Sequence, residues 1–411
     1  MAIKAFWTIA YRDLIRNRRR SLLTLVAVGL GMVVVLFMSG LLSGMISNSL
    51  ADSIHLRTGH LQLRAESYEI EKMSLLSKDL ISDSDQLAAK ATALSEVQSA
   101  TPVLWTNGIL STVRESLGLQ VTGIDPTAAF YAPIRDGMVA GSYLNPDSRN
   151  EILLGQRLAN EMKISVGDRV SLTIGNADGE PQEAIFTVAG LFATGMPGYD
   201  QSTIFIPLSR LQAITGVGNR ASSVIIMLHN RDDVAKVVNA LQTPGIKSLT
   251  WEDLNSALLE VAKTGASFYY LIYIIVILVV AVLIANTLLM SVFERTREIG
   301  ILTALGMKGR QIMLMFLLEA SALAWAGIAV GVMFGYAVVA YIAKVGIPIG
   351  DDTAALAGQT FALRSKMYTE FDPGQAVILS LLMFGIVAFV SLYPAWFAAR
   401  LEPVEALHTL N

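Results

Sequence analysis

The side chains of this sequence that could hold a metal or act as a nucleophile are few and widely spaced. Its four histidines are His55, His60, His229 and His408, of which only the first two are near neighbours. Zinc sites need three or four ligands at close spacing. The chain contains no cysteine, which also excludes disulfides, thiolate ligands and a cysteine nucleophile. The sequence therefore predicts no metal site.

Motifs for nucleotide binding and hydrolysis are missing as well. No GxxxxGK[ST] run is present, so the chain lacks the backbone nest and the lysine that cradle nucleotide phosphates. The segment GMKGRQ from Gly306 is no substitute. No HExxH or GxSxG run occurs either, and Asp351 beside Asp352 is more typical of a turn than of a catalytic pair. We expect no catalytic residue and no cofactor bound by this chain.

A charged segment with helical spacing is the strongest candidate for a functional surface. Residues 294–312 read ERTREIGILTALGMKGRQI, and four of them share one helical face by spacing: Glu294, Arg297, Glu298 and Ile301. Gly306 is placed to end this helix in a left-handed turn. A charged helix that continues rigidly from a membrane span is suited to pass the movement of a bound partner protein to that span. A solvated loop whose charges only fix topology is the alternative, and spacing alone does not separate the two.

The rest of the sequence indicates that this segment belongs to a membrane protein. Hydrophobic residues make up 53% of the chain and charged residues 16%, whereas soluble domains are about one quarter charged. Uncharged stretches longer than the ~20 residues that cross a bilayer predict spans at residues 21–46, 267–293, 312–345 and 375–399. The first is too long for a signal peptide. The net charge of −3 gives no support to nucleic-acid binding.

Basic residues predict the orientation of these spans, because short cytoplasmic loops are enriched in lysine and arginine. They lie before the first span, between the second and third, and after the fourth: Lys4, Arg12, Arg16, Arg18, Arg19, Arg20, Arg295, Arg297, Lys308, Arg310 and Arg400. The opposite short loop has fewer, among four acids. We expect both termini in the cytoplasm, with residues 294–311 as a cytoplasmic segment and 400–411 as a cytoplasmic tail.

The remaining segments predict a helix at the membrane surface, one large domain outside the cytoplasm and an outer loop. Apolar residues at helical spacing within residues 1–20 predict an interfacial helix. Residues 47–266 mix strand-like runs, at 61–64, 119–124, 169–174, 184–192, 202–206 and 223–228, with helix-like runs at 85–94, 156–162, 208–214 and 232–241. This pattern predicts an α+β domain. We interpret residues 346–374 as an ordered outer loop.

Two features of the third span concern its interior. Gly327, Gly331 and Gly335 recur at every fourth position, which permits close helix approach in lipid; the spacing predicts packing within a subunit or across a dimer. Glu319 lies about two turns inside this span. Carboxylates within a membrane are functional candidates, although a side chain near a helix end could instead snorkel to the interface or cap the helix.

Several segments, taken in order, resemble one family of proteins. They are AYRDLIRNRRRSLLTLVAVGLGM (10–32), EILLGQRLANEMKISVGDRVSLT (151–173), FTVAGLFATGMPGYDQSTIFIPLSRLQAITG (186–216), the charged segment 294–312 and SLYPAWFAARLEPVEAL (391–407). Together they are similar to the MacB, FtsX and lipoprotein-releasing (LolC and LolE) ABC permeases, also called type VII ABC transporters. GHLQLR (Gly59–Arg64) resembles the lipoprotein-releasing members, although a plain strand opening explains it equally well.

This resemblance implies a fold and a set of partners. The implied fold has four transmembrane helices and a large α+β extracytoplasmic domain of MacB periplasmic-core type between helices 1 and 2. In that family the cytoplasmic segment engages a LolD/MacB-type ABC ATPase, which would hold ATP and Mg. The contact residues implied here are Glu294, Arg297, Glu298, Ile301, Ala304, Leu305 and Gly306. Glu402 and Glu405 form a possible second contact, and a second permease copy or a homologous permease completes a dimer in the inner membrane.

The function implied by the resemblance is mechanotransmission, in which a separate ATPase drives movement outside the cytoplasm. The leading substrate class is a lipoprotein or other amphiphile in the outer leaflet of the inner membrane. Two alternatives stay open: efflux of a peptide or antibiotic through a periplasmic adaptor, and FtsX-like regulation of a cell-wall hydrolase. The size of the 47–266 region favours transport, because FtsX-like outer domains are generally smaller.

Overall fold

The structure is a computed structural model that describes residues 18–358 and 364–400. The chain forms two compact units. The membrane unit takes in the chain up to Met45, Ala262–Ile347 and the chain from Tyr368 onward. The outer unit consists of Ile46–Val261 together with Pro348–Met367.

Helices occur in both units. In chain order they are α1 (Arg18–Ser53), α2 (Ser84–Thr92), α3 (Ala132–Asp136), α4 (Gln156–Met162), α5 (Pro197–Ser202), α6 (Leu208–Thr215), α7 (Val234–Ala240), α8 (Trp251–Leu254), α9 (Ser256–Glu294), α10 (Thr296–Ala304), α11 (Gly309–Val345), α12 (Asp351–Gly358) and α13 (Pro373–Ala399). The strands are β1 (Leu61–Ala65), β2 (Val97–Ser111), β3 (Ser116–Ile124), β4 (Met138–Gly141), β5 (Glu151–Gly155), β6 (Arg169–Gly175), β7 (Pro181–Phe192), β8 (Thr203–Pro207), β9 (Ser223–Leu228), β10 (Ile246–Thr250), β11 (Ile347–Pro348) and β12 (Lys366–Met367).

The described part of the chain contains four helices long and apolar enough to cross a membrane, which are α1, α9, α11 and α13. This confirms the predicted number of spans. At 36 and 39 residues, α1 and α9 are about 54 and 58 Å long at 1.5 Å per residue. Both extend beyond the predicted spans on the outer side, to Ser53 and from Ser256, because hydropathy marks the apolar part of a helix and not its ends. Of the predicted interfacial segment, residues 1–17 lie outside the described residues, and Arg18 already belongs to α1.

Close contact between α1 and α11 organises the membrane unit. Gly327, Gly331 and Gly335 are all buried and face α1. A Cβ atom placed on Gly331 would lie only 2.7 Å from the carbonyl oxygen of Gly29. Apolar side chains of all four long helices surround this contact in a single cluster. The glycine spacing is therefore used within one subunit, where it lets two backbones approach closely.

The helix that ends the second span is interrupted at one residue. Arg295 has φ −109° and ψ 16°, outside the helical region, and separates α9 from α10. Its side chain is buried, and its Nη1 lies 3.6 Å from Oε2 of Glu319 on α11, which is also buried. Glu319 therefore neither snorkels nor caps α11. Removing one member of such a buried pair typically costs 3–5 kcal/mol.

The outer unit is built on a mixed sheet. Its main strand order is β10-β1-β9-β2-β3-β8-β5-β7-β4, with β6 pairing to β2 and β7. The β3–β8 and β5–β7 pairs are parallel and the others antiparallel. The 15-residue strand β2 contributes buried side chains to two apolar clusters, Val97 to one and Val103, Leu104 and Leu110 to the other. An α+β outer unit, as predicted, is the result.

Residues 348–367, which lie within the segment 346–374 predicted as an ordered outer loop, belong to the outer unit. They include the helix α12. Arg364 donates to the buried carboxylate of Asp52 at 2.6 Å, and Arg157 donates to Asp352 at 2.7 Å. The backbone N–H of Ser365 also bonds the Gly195 carbonyl at 3.1 Å. The charged residues of this stretch thus pair with distant parts of the chain, which its sequence does not reveal.

The glycine contact generates a stability prediction with a matched control. Gly331→Ala places a methyl group against the α1 backbone and should destabilise the protein by about 1–3 kcal/mol. Gly385→Ala adds the same methyl group to α13 where nothing lies within 4 Å, so it should be neutral or slightly stabilising. Thermal unfolding of both variants in one detergent tests this. Equal unfolding temperatures for the two variants would contradict the packing.

The buried ion pair generates a second prediction. Glu319→Gln and Arg295→Gln should each destabilise the protein by about 3–5 kcal/mol. The double variant should lose clearly less than the sum of the two, because the interaction between these two side chains is lost in either single variant already. Unfolding of the two single variants and the double variant, compared as a cycle, measures this coupling. Strictly additive losses would show that the two side chains do not interact.

Candidate functional site

The face of α10 is exposed at the residues predicted to contact an ATPase. The charged members of this set, Arg297 and Glu298, are exposed. The apolar members are exposed too: Ile301 at 47% and Leu305 at 80%. The other predicted residues, Glu294, Ala304 and Gly306, are also exposed. Two large apolar side chains open to solvent beside charges are typical of a protein-binding surface.

The opposite face of α10 anchors it to the membrane unit. Ile299 is 1% exposed and packs in a cluster with side chains of α9, α11 and α13. Arg295, at the start of α10, is held by its ion pair with Glu319. Movement of α10 by a bound partner would therefore act directly on the membrane helices, because its anchor residues are buried among them.

The C-terminal end of α10 has the predicted geometry. Gly306 has φ +94°, and its N–H donates to the Thr303 carbonyl at 2.9 Å. The N–H of Met307 donates to the Leu302 carbonyl at 3.0 Å. This pair of bonds is a Schellman cap, which favours glycine at the left-handed position. The prediction that Gly306 ends the helix is confirmed.

One part of the predicted geometry is wrong. Glu294 does not share a continuous helical face with Arg297, because the interruption at Arg295 places the two residues on different helices. In the sequence, Arg295 was interpreted only as one of the basic loop residues that indicate topology. Its pairing with Glu319 forms only because α9 and α11 meet in the folded protein. The only local signal for the pair was the presence of a carboxylate inside a span.

The remaining candidates are placed as follows. Gly327, Gly331 and Gly335 pack against α1, as described above. Glu402 and Glu405 lie outside the described residues. Within residues 18–358 and 364–400, no group of three potential metal-binding side chains occurs. His60 has a structural partner, since its Nδ1 accepts a hydrogen bond from the Leu228 N–H at 3.1 Å.

Two domain families match this chain. The MacB-like periplasmic core domain matches residues 21–243, and the FtsX-like permease C-terminal domain matches residues 270–403. Together they include α10 and its anchor on α9, α11 and α13.

Individual proteins are similar to this chain at 16–24% sequence identity. The lipoprotein-releasing system transmembrane protein LolC of Neisseria meningitidis is 23% identical over 76% of this chain and 78% of the relative. The macrolide export ATP-binding/permease protein MacB of Bdellovibrio bacteriovorus is 24% identical over 97% of this chain, which spans only 60% of that relative. The periplasmic region of MacB from Actinobacillus actinomycetemcomitans is similar at a TM-score of 0.36 and 16% identity, over 51% of this chain and 97% of that chain.

The order of the two domains agrees with the observed chain, in which the larger part of the outer unit, Ile46–Val261, precedes most of the membrane unit in sequence. The first domain alone covers more than half of the sequence. The chain is a member of the MacB/FtsX/LolC family of ABC transporter permeases, an integral membrane protein with a MacB-like periplasmic core domain.

Proposed function

We propose that this chain is the permease subunit of an ABC complex that converts ATP hydrolysis by a separate ATPase subunit into movement outside the membrane. The exposed face of α10, with Ile301 and Leu305 beside Arg297 and Glu298, is the observation that carries this proposal. It offers a partner both an apolar contact and charges for orientation. The ATPase binds this face from the cytoplasm, where both chain termini also lie.

The physical path of the movement follows α1 and α9, the two long helices whose outer ends belong to the outer unit. Both α1 and α9 exceed the ~30 Å of a bilayer core by several turns. An α-helix transmits force along its axis because each turn is hydrogen-bonded to the next. Two of the chain boundaries between the compact units, after Met45 and after Val261, fall inside these helices. In the proposed mechanism, movement of α10 passes into α9 at the Arg295 break and is carried outward along the helix.

The substrate class is a lipoprotein or another amphiphile taken from the outer leaflet of the inner membrane. The similarity to a LolC protein named for lipoprotein release supports this class. Export of a small amphiphile is the second candidate, supported by the similarity to a macrolide export protein. A second permease, identical or homologous, forms the dimer on which two ATPase subunits act.

Charge reversal on α10 tests the proposal. Arg297→Glu and Glu298→Lys should leave membrane insertion intact and weaken binding of the co-purifying ATPase at least tenfold, which corresponds to about 1.4 kcal/mol. ATP hydrolysis should then no longer respond to substrate. The measurements are pull-down of the ATPase and its hydrolysis rate in proteoliposomes.

Glu180→Lys is the matched control, since it reverses an exposed charge in the outer unit and should behave like the unaltered protein. Normal coupled turnover in both α10 variants would contradict the role of this helix. ATP hydrolysis by the purified chain alone would contradict the proposed division of labour.

A further inference from the structure

A cavity of about 510 Å³ lies within the outer unit, in the ~300–1,000 Å³ range of small-molecule sites. Its walls come from the end of α1 and the turn after it, from β1, β2, β3 and β8, and from the start of α9. The lining includes Gln62 and Arg64 of the GHLQLR segment. The ATPase-binding role proposed for the exposed face of α10 gives this cavity no function.

Arg64 is a buried cation in the cavity wall. It is 5% exposed, and its guanidinium carbon lies 5.4 Å from the ring centroid of Trp105 and 5.8 Å from that of Tyr68. Its Nε donates to Gln62 Oε1 at 2.9 Å, while the Gln62 amide donates to the Thr58 carbonyl at 2.8 Å. The planar group is thus fixed in orientation by stacking and by hydrogen bonds.

In the described part of the chain Arg64 forms no ion pair within 4.0 Å, and its guanidinium donates instead to the uncharged Gln62. Glu71 lines the same cavity but is exposed. Burial lowers the pKa of Arg64, yet an arginine stays protonated in proteins. A buried cation is costly unless an anion compensates it, so the wall is electrostatically suited to a negatively charged ligand.

Tyr131 is a second polar group in the wall. It is 3% exposed, and its hydroxyl has no hydrogen-bond partner within residues 18–358 and 364–400. The neighbouring cavity residue Tyr199 differs, because its hydroxyl donates to the Leu56 carbonyl at 3.1 Å. Buried hydroxyl groups nearly always have a partner. Tyr131 therefore carries a donor that a bound ligand can use.

Much of the remaining wall is apolar. Phe130, Phe205, Ile225 and Met73 line the cavity together with Leu254. A free inorganic anion would leave this apolar surface unused. A ligand with one anionic group and an apolar body matches both parts of the wall.

We propose that the cavity binds an amphiphile with a phosphate or carboxylate head group, whose charge is held by the Arg64 guanidinium with Tyr131 as an added hydrogen-bond donor. The proposal gives a chemical class to the substrate of the proposed function. Its test needs no ATPase, so a failure here is distinguishable from a failure of coupling through α10.

The test is a binding measurement on the full chain in phosphatidylcholine nanodiscs. Calorimetry with dihexanoyl phosphatidylglycerol should show saturable binding, and decanoate should compete with it. Arg64→Gln should weaken binding at least tenfold, Arg64→Lys less, and Tyr131→Phe several-fold. Arg114→Gln removes an exposed arginine of the outer unit and should bind like the unaltered protein.

Other outcomes would overturn the inference. Equal affinity for dihexanoyl phosphatidylcholine would exclude recognition of the negative charge. Binding of inorganic phosphate as tightly as the amphiphile would exclude a role for the apolar wall. If Arg64→Gln fails to fold, Arg64→Lys and Tyr131→Phe decide the matter, and unchanged affinity in both would refute the site.

Discussion

Inside a bilayer every backbone N–H and C=O group must find its partner within the protein, and this constraint determines how the membrane unit is built. It makes each span an unbroken helix and allows a break only where the environment supplies other partners. The break at Arg295 obeys this rule, because the Arg295 N–H still bonds the Ser291 carbonyl at 3.2 Å. The Arg295 N–H therefore keeps a backbone partner although the φ and ψ of this residue leave the helical region.

The same constraint explains why α10 is suited to receive a signal. A helix outside the lipid can present apolar side chains such as Leu305 to a partner, while Ile299 stays buried among the membrane helices. The Arg295–Glu319 pair adds a charged contact between α10 and α11 at this point. In the proposed function the energy source is a separate polypeptide, and the Arg64 cavity of the outer unit is the proposed binding site for the ligand.

Much of this architecture could be predicted from the sequence, for reasons that differ between elements. The four spans could be predicted because each is an uncharged stretch long enough to cross a bilayer. The cap at Gly306 could be predicted because a helix often ends at a residue with a positive φ, a conformation that favours glycine. The outer strands β6, which alternates cleanly, and β9, which is a short apolar run, were also recognisable. By contrast, β2 was missed because Pro102 and Gly108 interrupt its apolar pattern.

Features that depend on contacts between distant segments could not be found in this way. The pairing of Arg295 with Glu319 and of Asp52 with Arg364 arises only once the chain is folded. Local spacing likewise predicted a continuous helix through residue 295, since a single non-helical residue leaves no trace in hydropathy. The candidate ATPase contacts came from resemblance, and the exposure of α10 is what makes them physically accessible.

Movement transmitted from α10 to the outer unit can be measured directly, because the chain has no cysteine of its own. Spin labels attached through Lys308→Cys, just beyond α10, and Val113→Cys would report one distance between two exposed positions, one in each unit. With the ATPase bound in nanodiscs, the account predicts that this distance distribution changes between the nucleotide-free and ATP-bound states. An unchanged distribution in a complex that hydrolyses ATP at its normal rate would contradict it.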